Sequence, residues 1–240
     1  MAQDLSSVKA VLLDIEGTVC SISFVHDVLF PYALGALSST LEKQWEDPSF
    51  SPYKDAFPPE HRTSPAALRS HVADLMSRDI KIAYLKNLQG YLWAKGYASG
   101  ALKAPLFADV PAKFPAWKAR GIDIVIYSSG SVPAQKLLFK HTDAVDHGDN
   151  GDLTPMITDY FDTVNAGLKT EVQSYQKISS KYDKLSASQW LFLSDNIKEV
   201  DAAKAAGMLS FVVQRPGNAE LPSETKQRHT VIRSFDEIAL

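Results

Sequence analysis

A short apolar strand that ends on two acids is the feature that most constrains how this chain can fold. The segment KAVLLDIEGTV at 9–19 contains this strand, followed by Asp14 and Glu16. Side chains at positions i and i+2 of a strand share a face, so both carboxylates point the same way. Like charges this close cost free energy unless a cation or a proton relieves them. The pattern predicts a metal ion and chemistry here, and its plain alternative is a solvated strand end.

Downstream of about residue 120 the sequence alternates short apolar runs with helical patterns. We predict strands over 122–127, 160–164, 190–193 and 209–213, and helices over 132–140, 171–181 and 197–206. Strands separated by helices are typical of βαβ units and of a parallel sheet, to which the strand at 9–13 belongs. The predicted fold class is α/β, with a doubly wound, Rossmann-like parallel sheet as its core.

Residues 21–105 contain no convincing strand pattern. Apolar residues recur there at helical spacing, as in Leu68, Val72 and Leu75. A proline-rich stretch over 48–65 is interpreted as a loop between helices. We therefore predict an α/β catalytic core of residues 1–20 and 106–240, with an all-helical cap domain of residues 21–105 inserted after the first strand. Ligands of open α/β sheets bind beyond the carboxyl ends of the strands, where such an insertion would lie.

Composition narrows the classes of function. The chain has 240 residues, is 45% hydrophobic and carries a net charge of −3, which suits one large domain or a domain with an insertion. No apolar run reaches the roughly 18 residues of a membrane helix, and no Lys/Arg cluster indicates a nucleic-acid surface. We expect neither a membrane nor a nucleic-acid partner. The first residues show no secretory signal, and the single cysteine, Cys20, fits a reducing compartment.

Three later segments supply polar groups to the same edge of the predicted sheet. Ser128, Ser129 and Gly130 follow a strand and open a helix, where hydroxyl and N–H groups form a phosphate cradle or simply cap the helix. Lys169 lies in a turn, where it either offsets the charge of a carboxylate and a phosphate or is solvated. Asp195 ends another apolar run, as a metal ligand or as a helix cap.

The order strand–DxE, strand–SSGS, loop–Lys and strand–Asp resembles the haloacid dehalogenase-like (HAD) phosphatase superfamily. More particular stretches are FVHDVLFPY at 24–32, FADV at 107–110 and RPGNA at 215–219. With these, nearly the whole chain resembles the enolase-phosphatase family of methionine salvage, the acireductone synthases. One departure is Leu168, because that family often has a histidine before the motif lysine.

The resemblance implies a reaction and its requirements. A bifunctional enolase-phosphatase would convert 2,3-diketo-5-methylthiopentyl-1-phosphate to acireductone (1,2-dihydroxy-3-keto-5-methylthiopentene) and phosphate through an aspartyl-phosphate. The family implies one Mg²⁺ per chain, a small-molecule phosphate substrate and a monomeric protein. Its eukaryotic members are assigned to both cytoplasm and nucleus, so we expect a cytoplasmic protein and consider a nuclear pool.

The resemblance also implies roles for individual residues. Asp14 matches the nucleophile, and Glu16 matches the acid/base, which is aspartate in most superfamily phosphatases. Because the enolase-phosphatases share this glutamate and also move a proton on carbon, we hypothesise that Glu16 serves both steps. Mg²⁺ would be held by Asp14, by the backbone carbonyl of Glu16 and by Asp195. The phosphate would be bound by Ser128, Ser129, Gly130 and Lys169, with Lys169 also steadying the charge of the nucleophile.

Several assignments have alternatives. Glu199 either binds the metal waters or only favours the start of its helix. Phe24 and Trp93 either line a methylthio pocket or pack the cap core, and His26 is interpreted as a surface or capping histidine. At the level of function, the rivals are a phosphatase for sugar or nucleotide phosphates, a carbon–halogen hydrolase and an inactive, binding-only relative. The acids at Glu16 and Asp195 argue against the halogen hydrolase.

Overall fold

A six-stranded sheet forms the centre of the computed structural model, which describes residues 4–144 and 151–240. Its strands are β1 (Ala10–Leu13), β2 (Asp123–Tyr127), β3 (Asp159–Phe161), β4 (Trp190–Ser194), β5 (Leu209–Val213) and β6 (Val231–Ile232). Every pair of neighbours is parallel, in the order β3-β2-β1-β4-β5-β6. The α/β fold class predicted from the sequence is confirmed.

The central strand is apolar because it has no solvent-facing side. All four residues of β1 are buried, and Leu12 lies opposite Val125 on β2 and Phe192 on β4. Parallel strands covered on both faces have near-continuous apolar sequences, which explains the run found here. The strand predicted over 160–164 ends at Phe161, because the Asp162 carboxylate accepts the N–H groups of the next turn. Strand β6 was not predicted.

Nine α-helices occur among the described residues. They are α1 (Phe30–Gln44), α2 (Ser51–Asp55), α3 (Pro65–Ser77), α4 (Ala83–Ala98), α5 (Val110–Ala119), α6 (Val132–Lys140), α7 (Val172–Ser179), α8 (Ile197–Ala205) and α9 (Thr225–Arg228). A π-helical turn, Val25–Leu29, precedes α1. In the part of the chain that is described, no helix combines the length and the apolar character needed to cross a membrane.

Prolines occur in two helices that the sequence analysis missed, α2 and α5, and the short helix α9 was not predicted either. The stretch over 48–65 was predicted as a loop, yet it contains α2 and a 3₁₀ turn, Pro59–His61. Proline is tolerated in the first turn of a helix, where its missing N–H would be unpaired anyway. Helix α5 was not predicted either, because it has Pro115 in its interior. It is retained by tertiary packing, since Phe114 and Trp117 are both buried.

The chain divides into two compact units. One comprises Met1–Ile22 and Ala104–Leu240 and contains the sheet, and the other comprises Ser23–Lys103, in which every regular element is helical. The helical unit has its own apolar core, built mainly from Leu37, Leu41, Phe50, Phe57, Leu68, Val72, Leu85 and Leu88. The boundaries predicted at 20 and 106, and the role of a cap, stay predictions.

The structure defines the environments of Phe24, Trp93 and His26, whose roles the sequence left undecided. Phe24 is buried, and the indole N–H of Trp93 donates to the Leu29 carbonyl at 2.9 Å. His26 is exposed, with its ring edge-on to Phe30. These environments support the packing interpretation of Phe24 and the surface interpretation of His26.

The register of the sheet brings the predicted site residues to one edge. Leu13 lies opposite Ile126 of β2 and Leu193 of β4. Because these strands are parallel, the residues that follow each of them emerge on the same side. The acids after β1, the serines after β2 and the acid after β4 therefore meet there.

Two glycines of α4 provide a matched test of packing in the helical unit. A Cβ on Gly96 would lie 2.6 Å from the Tyr32 ring and 2.7 Å from Leu102, whereas a Cβ on Gly90 would meet nothing within 4 Å. We expect Gly96→Ala to destabilise the protein by about 1–3 kcal/mol through overpacking. Gly90→Ala should instead stabilise it by roughly 0.5–1 kcal/mol, since alanine is the better helix former. Urea unfolding of both variants measures this, and equal shifts would refute the packing described for Gly96.

Candidate active site

The Asp14 carboxylate lies at the end of β1 and is held from two sides. Its side chain is buried, and its backbone N–H donates to the Leu193 carbonyl at 3.0 Å, which continues the ladder to β4. One carboxylate oxygen accepts from Lys169 Nζ at 2.5 Å, and the other accepts from the Thr18 hydroxyl at 3.3 Å. These two contacts fix the orientation of the buried carboxylate, as a group that acts as a nucleophile requires.

A tight loop returns the chain immediately after Asp14. The Ile15 carbonyl accepts the three successive amides of residues 18–20. Gly17 adopts a φ of +73°, and a Cβ there would lie 2.5 Å from an oxygen of Asp195. Only glycine satisfies both conditions, the left-handed backbone and the close approach of the carboxylate. The glycine that follows the DxE motif therefore allows the Asp195 carboxylate to lie close to this loop.

Lys169 places its ammonium group between two carboxylates. Its Nζ lies 2.5 Å from Asp14 Oδ1 and 2.7 Å from Glu199 Oε2, and all three side chains are largely buried. Burial alone would lower the pKa of Lys169, but Asp14 and Glu199 outweigh that effect and raise its pKa above the ordinary value. The lysine is consequently a permanent positive charge in this site.

Three hydroxyl groups fix the backbone of the loop that carries Lys169. The successive carbonyls of residues 167–169 accept hydrogen bonds from Tyr127, Ser174 and Tyr175, at 2.8, 2.7 and 2.6 Å in that order. All three donor residues are buried. The sequence analysis missed this group, since a hydroxyl that binds a backbone carbonyl leaves no motif. Its effect is to hold the lysine before any ligand arrives.

Two acids follow β4. The Asp195 N–H donates to the Thr18 hydroxyl at 3.2 Å, so Thr18 links Asp14 with Asp195. Burial, together with the charges of Asp14 and Glu199, raises the pKa of Asp195 to about 7. Glu199 accepts from the Ser194 hydroxyl at 2.8 Å as well as from Lys169, and its pKa is raised by burial although the lysine opposes this.

These groups line one cavity of about 180 Å³. Its lining consists of Asp14, Glu16, Ile22, Ser128, Ser129, Lys169, Asp195, Asn196 and Glu199. Every predicted site residue except Gly130 is among them, and Gly130 lies beside them, where its N–H donates to the Ser128 hydroxyl at 3.3 Å. Ile22 and Asn196 were not predicted. Asn196 caps helix α8 by accepting from the Lys198 N–H, a signal that an Asn before a helical run can provide.

The charge of the cavity is negative overall. Four acids line it, whereas Lys169 is the basic residue of the lining. Among the described residues no group of three or more His, Cys, Asp or Glu side chains forms a metal site by itself. The oxygen donors of the cavity that suit a metal ion are the carboxylates of Asp14 and Asp195 and nearby backbone carbonyls. Such a set suits a hard cation that keeps several waters and takes only one or two carboxylates.

Comparisons with known proteins agree on the class of enzyme. The family model described as haloacid dehalogenase-like hydrolase matches residues 8–207. Enolase-phosphatase E1 of Pyricularia oryzae is 64% identical over 233 residues, covering 97% of this chain and 99% of that protein. Enolase-phosphatase E1 of Podospora anserina is 65% identical over 231 residues, covering 96% and 97%.

A solved structure agrees with both the fold and the sequence. The crystal structure of UTR4 protein from Saccharomyces cerevisiae matches with a TM-score of 0.85 at 40% identity, covering 96% of this chain and all of that chain. A crystal structure of CbbY from Rhodobacter sphaeroides in complex with phosphate, at 14% identity and a TM-score of 0.58, shares the fold alone. The family match over most of the chain and the near full-length identity to curated relatives lead to one conclusion: this chain belongs to the haloacid dehalogenase-like hydrolases and, within them, to the enolase-phosphatases.

Proposed function

We propose that this chain is a Mg²⁺-dependent enolase-phosphatase that converts 2,3-diketo-5-methylthiopentyl-1-phosphate to acireductone and phosphate. The observation that carries the proposal is the cavity in which a lysine-paired carboxylate, two serines and a second strand-end acid converge. The relatives named Enolase-phosphatase E1, matched over nearly the full chain, support the choice of substrate.

Asp14 is the nucleophile of the proposed reaction. Its carboxylate attacks phosphorus, the bond from phosphorus to the substrate oxygen breaks, and an aspartyl-phosphate forms. Water then attacks the same phosphorus and restores the carboxylate. Splitting one difficult displacement into two easier ones is the benefit of a covalent intermediate. The contacts from Lys169 and Thr18 support this role, because they place a positive charge beside the carboxylate and restrict its rotation.

Glu16 moves protons in the proposed mechanism. It lies two residues after Asp14, in the loop that follows β1, and lines the same cavity. It donates a proton to the leaving oxygen in the first displacement and accepts one from water in the second. We also assign it the proton transfer on carbon that makes the enol, since glutamate is one methylene longer than the aspartate of most superfamily phosphatases.

Ser128, Ser129 and Gly130 form the proposed phosphate cradle. The Ser128 hydroxyl accepts from the Gly130 N–H, which leaves its own hydrogen free to donate to a phosphate oxygen. The serines lie between β2 and helix α6, and the first N–H of that helix, on Val132, already donates to the Asp162 carboxylate at 3.1 Å. Lys169 completes the cradle with a full positive charge. We propose in addition that the helical unit selects the substrate side chain, as a cap domain.

The donor set of the cavity fits Mg²⁺. Asp14, Asp195 and the Glu16 carbonyl would hold it, and Glu199, through Ser194 and Lys169, would steady the surrounding charges. When bound, the ion screens the negative nucleophile from the negative phosphate. The raised pKa of Asp195 supports this assignment, because burial and then the charges of Asp14 and Glu199 disfavour its ionised form, which a bound cation would stabilise. One ion per chain and a monomer complete the proposal.

Phosphate release tests the proposed reaction directly. Purified protein with Mg²⁺ should release phosphate from the diketo phosphate, EDTA should abolish the release, and Asp14→Asn should lower kcat by more than about 1,000-fold. Asp123→Asn is the matched control, because Asp123 begins β2 at the opposite edge of the sheet. Cleavage of an aryl phosphate but not of the diketo phosphate would leave only a general phosphatase. Cleavage of neither would favour a binding-only relative.

Glu16→Gln separates the two proposed proton transfers. We expect phosphate release to fall by roughly 100-fold or more, because the leaving oxygen loses its acid. Exchange of the substrate's carbon-bound hydrogen with D₂O, followed by NMR, should fall with it. Exchange at the wild-type rate in this variant would show that another group enolises the substrate.

Asp195→Asn tests the charge balance of the cavity. The pKa of Asp195 in the folded protein is raised to about 7, so its contribution to stability is present below its ordinary pKa and is lost as pH rises through 7. Without metal, we expect Asp195→Asn to stabilise the protein at pH 8 by on the order of 1–3 kcal/mol, with screening by solvent included, and to change little at pH 4.

Thermal unfolding at pH 4 and at pH 8, with and without Mg²⁺, tests this expectation. Mg²⁺ should raise the Tm of the wild type and have little effect on Asp195→Asn. The exposed Asp183→Asn serves as the control and should respond to Mg²⁺ as the wild type does. A destabilised Asp195→Asn at pH 8 would contradict the repulsion inferred here.

A further inference from the structure

The segment RPGN at 215–218 is one of the particular stretches of the sequence to which the proposed mechanism gives no role. It follows strand β5, two strands away from Asp14 in the sheet. Arg215 Nε donates to the Thr18 carbonyl at 3.0 Å, and Asn218 Nδ2 donates to the Gly17 carbonyl at 2.9 Å. These two carbonyls are consecutive, and they belong to the loop that carries Glu16.

Arg215 is itself rigidly held. Its Nη1 donates to Asp109 Oδ1 and to the Arg233 carbonyl, both at 2.9 Å. Its guanidinium lies 4.7 Å from the ring centroids of Phe107 and of Phe235. The side chain is buried, so the charge-assisted bond that it makes to the Thr18 carbonyl is shielded from water. Arg215 can therefore restrict the motion of the loop through its hydrogen bond to the Thr18 carbonyl.

Asn218 reaches the loop from a turn that only glycine allows. Gly217 has a φ of +87°, and the Asn218 N–H closes the turn on the Arg215 carbonyl at 3.2 Å. Besides Gly17, Asn218 Nδ2 also donates to the Val213 carbonyl at 3.3 Å, which ties it to the end of β5. Asn218 Oδ1 and an Asp195 oxygen both border the position where a Gly17 Cβ would stand, at 3.1 and 2.5 Å.

We propose that Arg215 and Asn218 are positioning residues, which hold the loop of residues 16–18 in the geometry that catalysis needs. They contact the loop through its backbone, and Thr18 in turn contacts both Asp14 and the Asp195 N–H. Displacement of a catalytic group by about 1 Å can cost on the order of 100-fold in rate. Loss of one of these hydrogen bonds therefore displaces Glu16 and Thr18, although every group that touches the substrate remains. The inference rests on the proposed function for its kinetic measurement only.

Asn218→Ala tests the inference, with Gln214→Ala as the matched control. Gln214 lies in the same loop, and its side chain donates to the Ala219 carbonyl. For Asn218→Ala we expect kcat to fall about 10- to 100-fold while KM stays within about threefold, because binding groups remain and only the loop geometry is lost. Hydrogen–deuterium exchange of the metal-free protein should rise in the peptide that spans residues 14–20. Gln214→Ala should match the wild type in both measurements.

The outcomes separate a positioning role from a merely structural one. Asn218→Leu, which keeps the size of the side chain and removes the donor without adding charge, should reproduce the fall in kcat and the faster exchange, and it replaces the alanine variant if that fails to fold. Wild-type kcat and exchange in a folded variant would overturn the inference, as would a lower Tm with an unchanged kcat. If the wild type does not cleave the diketo phosphate, the proposed function fails. The exchange measurement, which needs no substrate, and kcat on an aryl phosphate still decide the inference.

Discussion

The buried ammonium of Lys169, placed between the carboxylates of Asp14 and Glu199, is the interaction on which the rest of the site depends. Desolvating three charges is expensive, and it is offset only where each charge has a close partner and further hydrogen bonds. The structure supplies both, through the Thr18 and Ser194 hydroxyls at the acids and through the hydroxyl-bound loop behind the lysine. Removal of the lysine alone would leave two buried carboxylates without compensation.

The cavity also contains the acids Glu16 and Asp195, so the charge of its lining is negative overall. Burial first, and then the charges of Asp14 and Glu199, raise the pKa of Asp195 to about 7, and Lys169 offsets them only in part. Catalytic sites commonly retain such unfavourable arrangements, because the groups that stabilise a transition state are not those that best stabilise the fold.

The sheet provides the rigidity for this chemistry. Strands β1, β2 and β4 are apolar and buried, so their carboxyl ends have little freedom to shift, and each delivers one polar segment to the same edge. Hydroxyl donors fix the lysine loop, and the RPGN segment is inferred to fix the loop after Asp14. Each of these supports binds a backbone carbonyl rather than a side chain that lines the cavity. The chain belongs to the enolase-phosphatases, and we propose that its Glu16, one methylene longer than aspartate, moves the proton on carbon.

Local sequence was enough to predict the strand-end motifs of Asp14, Ser128 and Asp195 and the α/β fold class, because strand periodicity and the meeting of parallel strand ends are short-range rules. It was not enough to predict the side chains that hold these motifs in position. Arg215 and Asn218 reach carbonyls 197 and 201 positions away, and Tyr127 reaches one 40 positions away. A backbone carbonyl is present at every residue, so no side-chain pattern marks which one will be bound. The sequence therefore determined which groups are available for chemistry, and the tertiary structure alone decided what holds them in place.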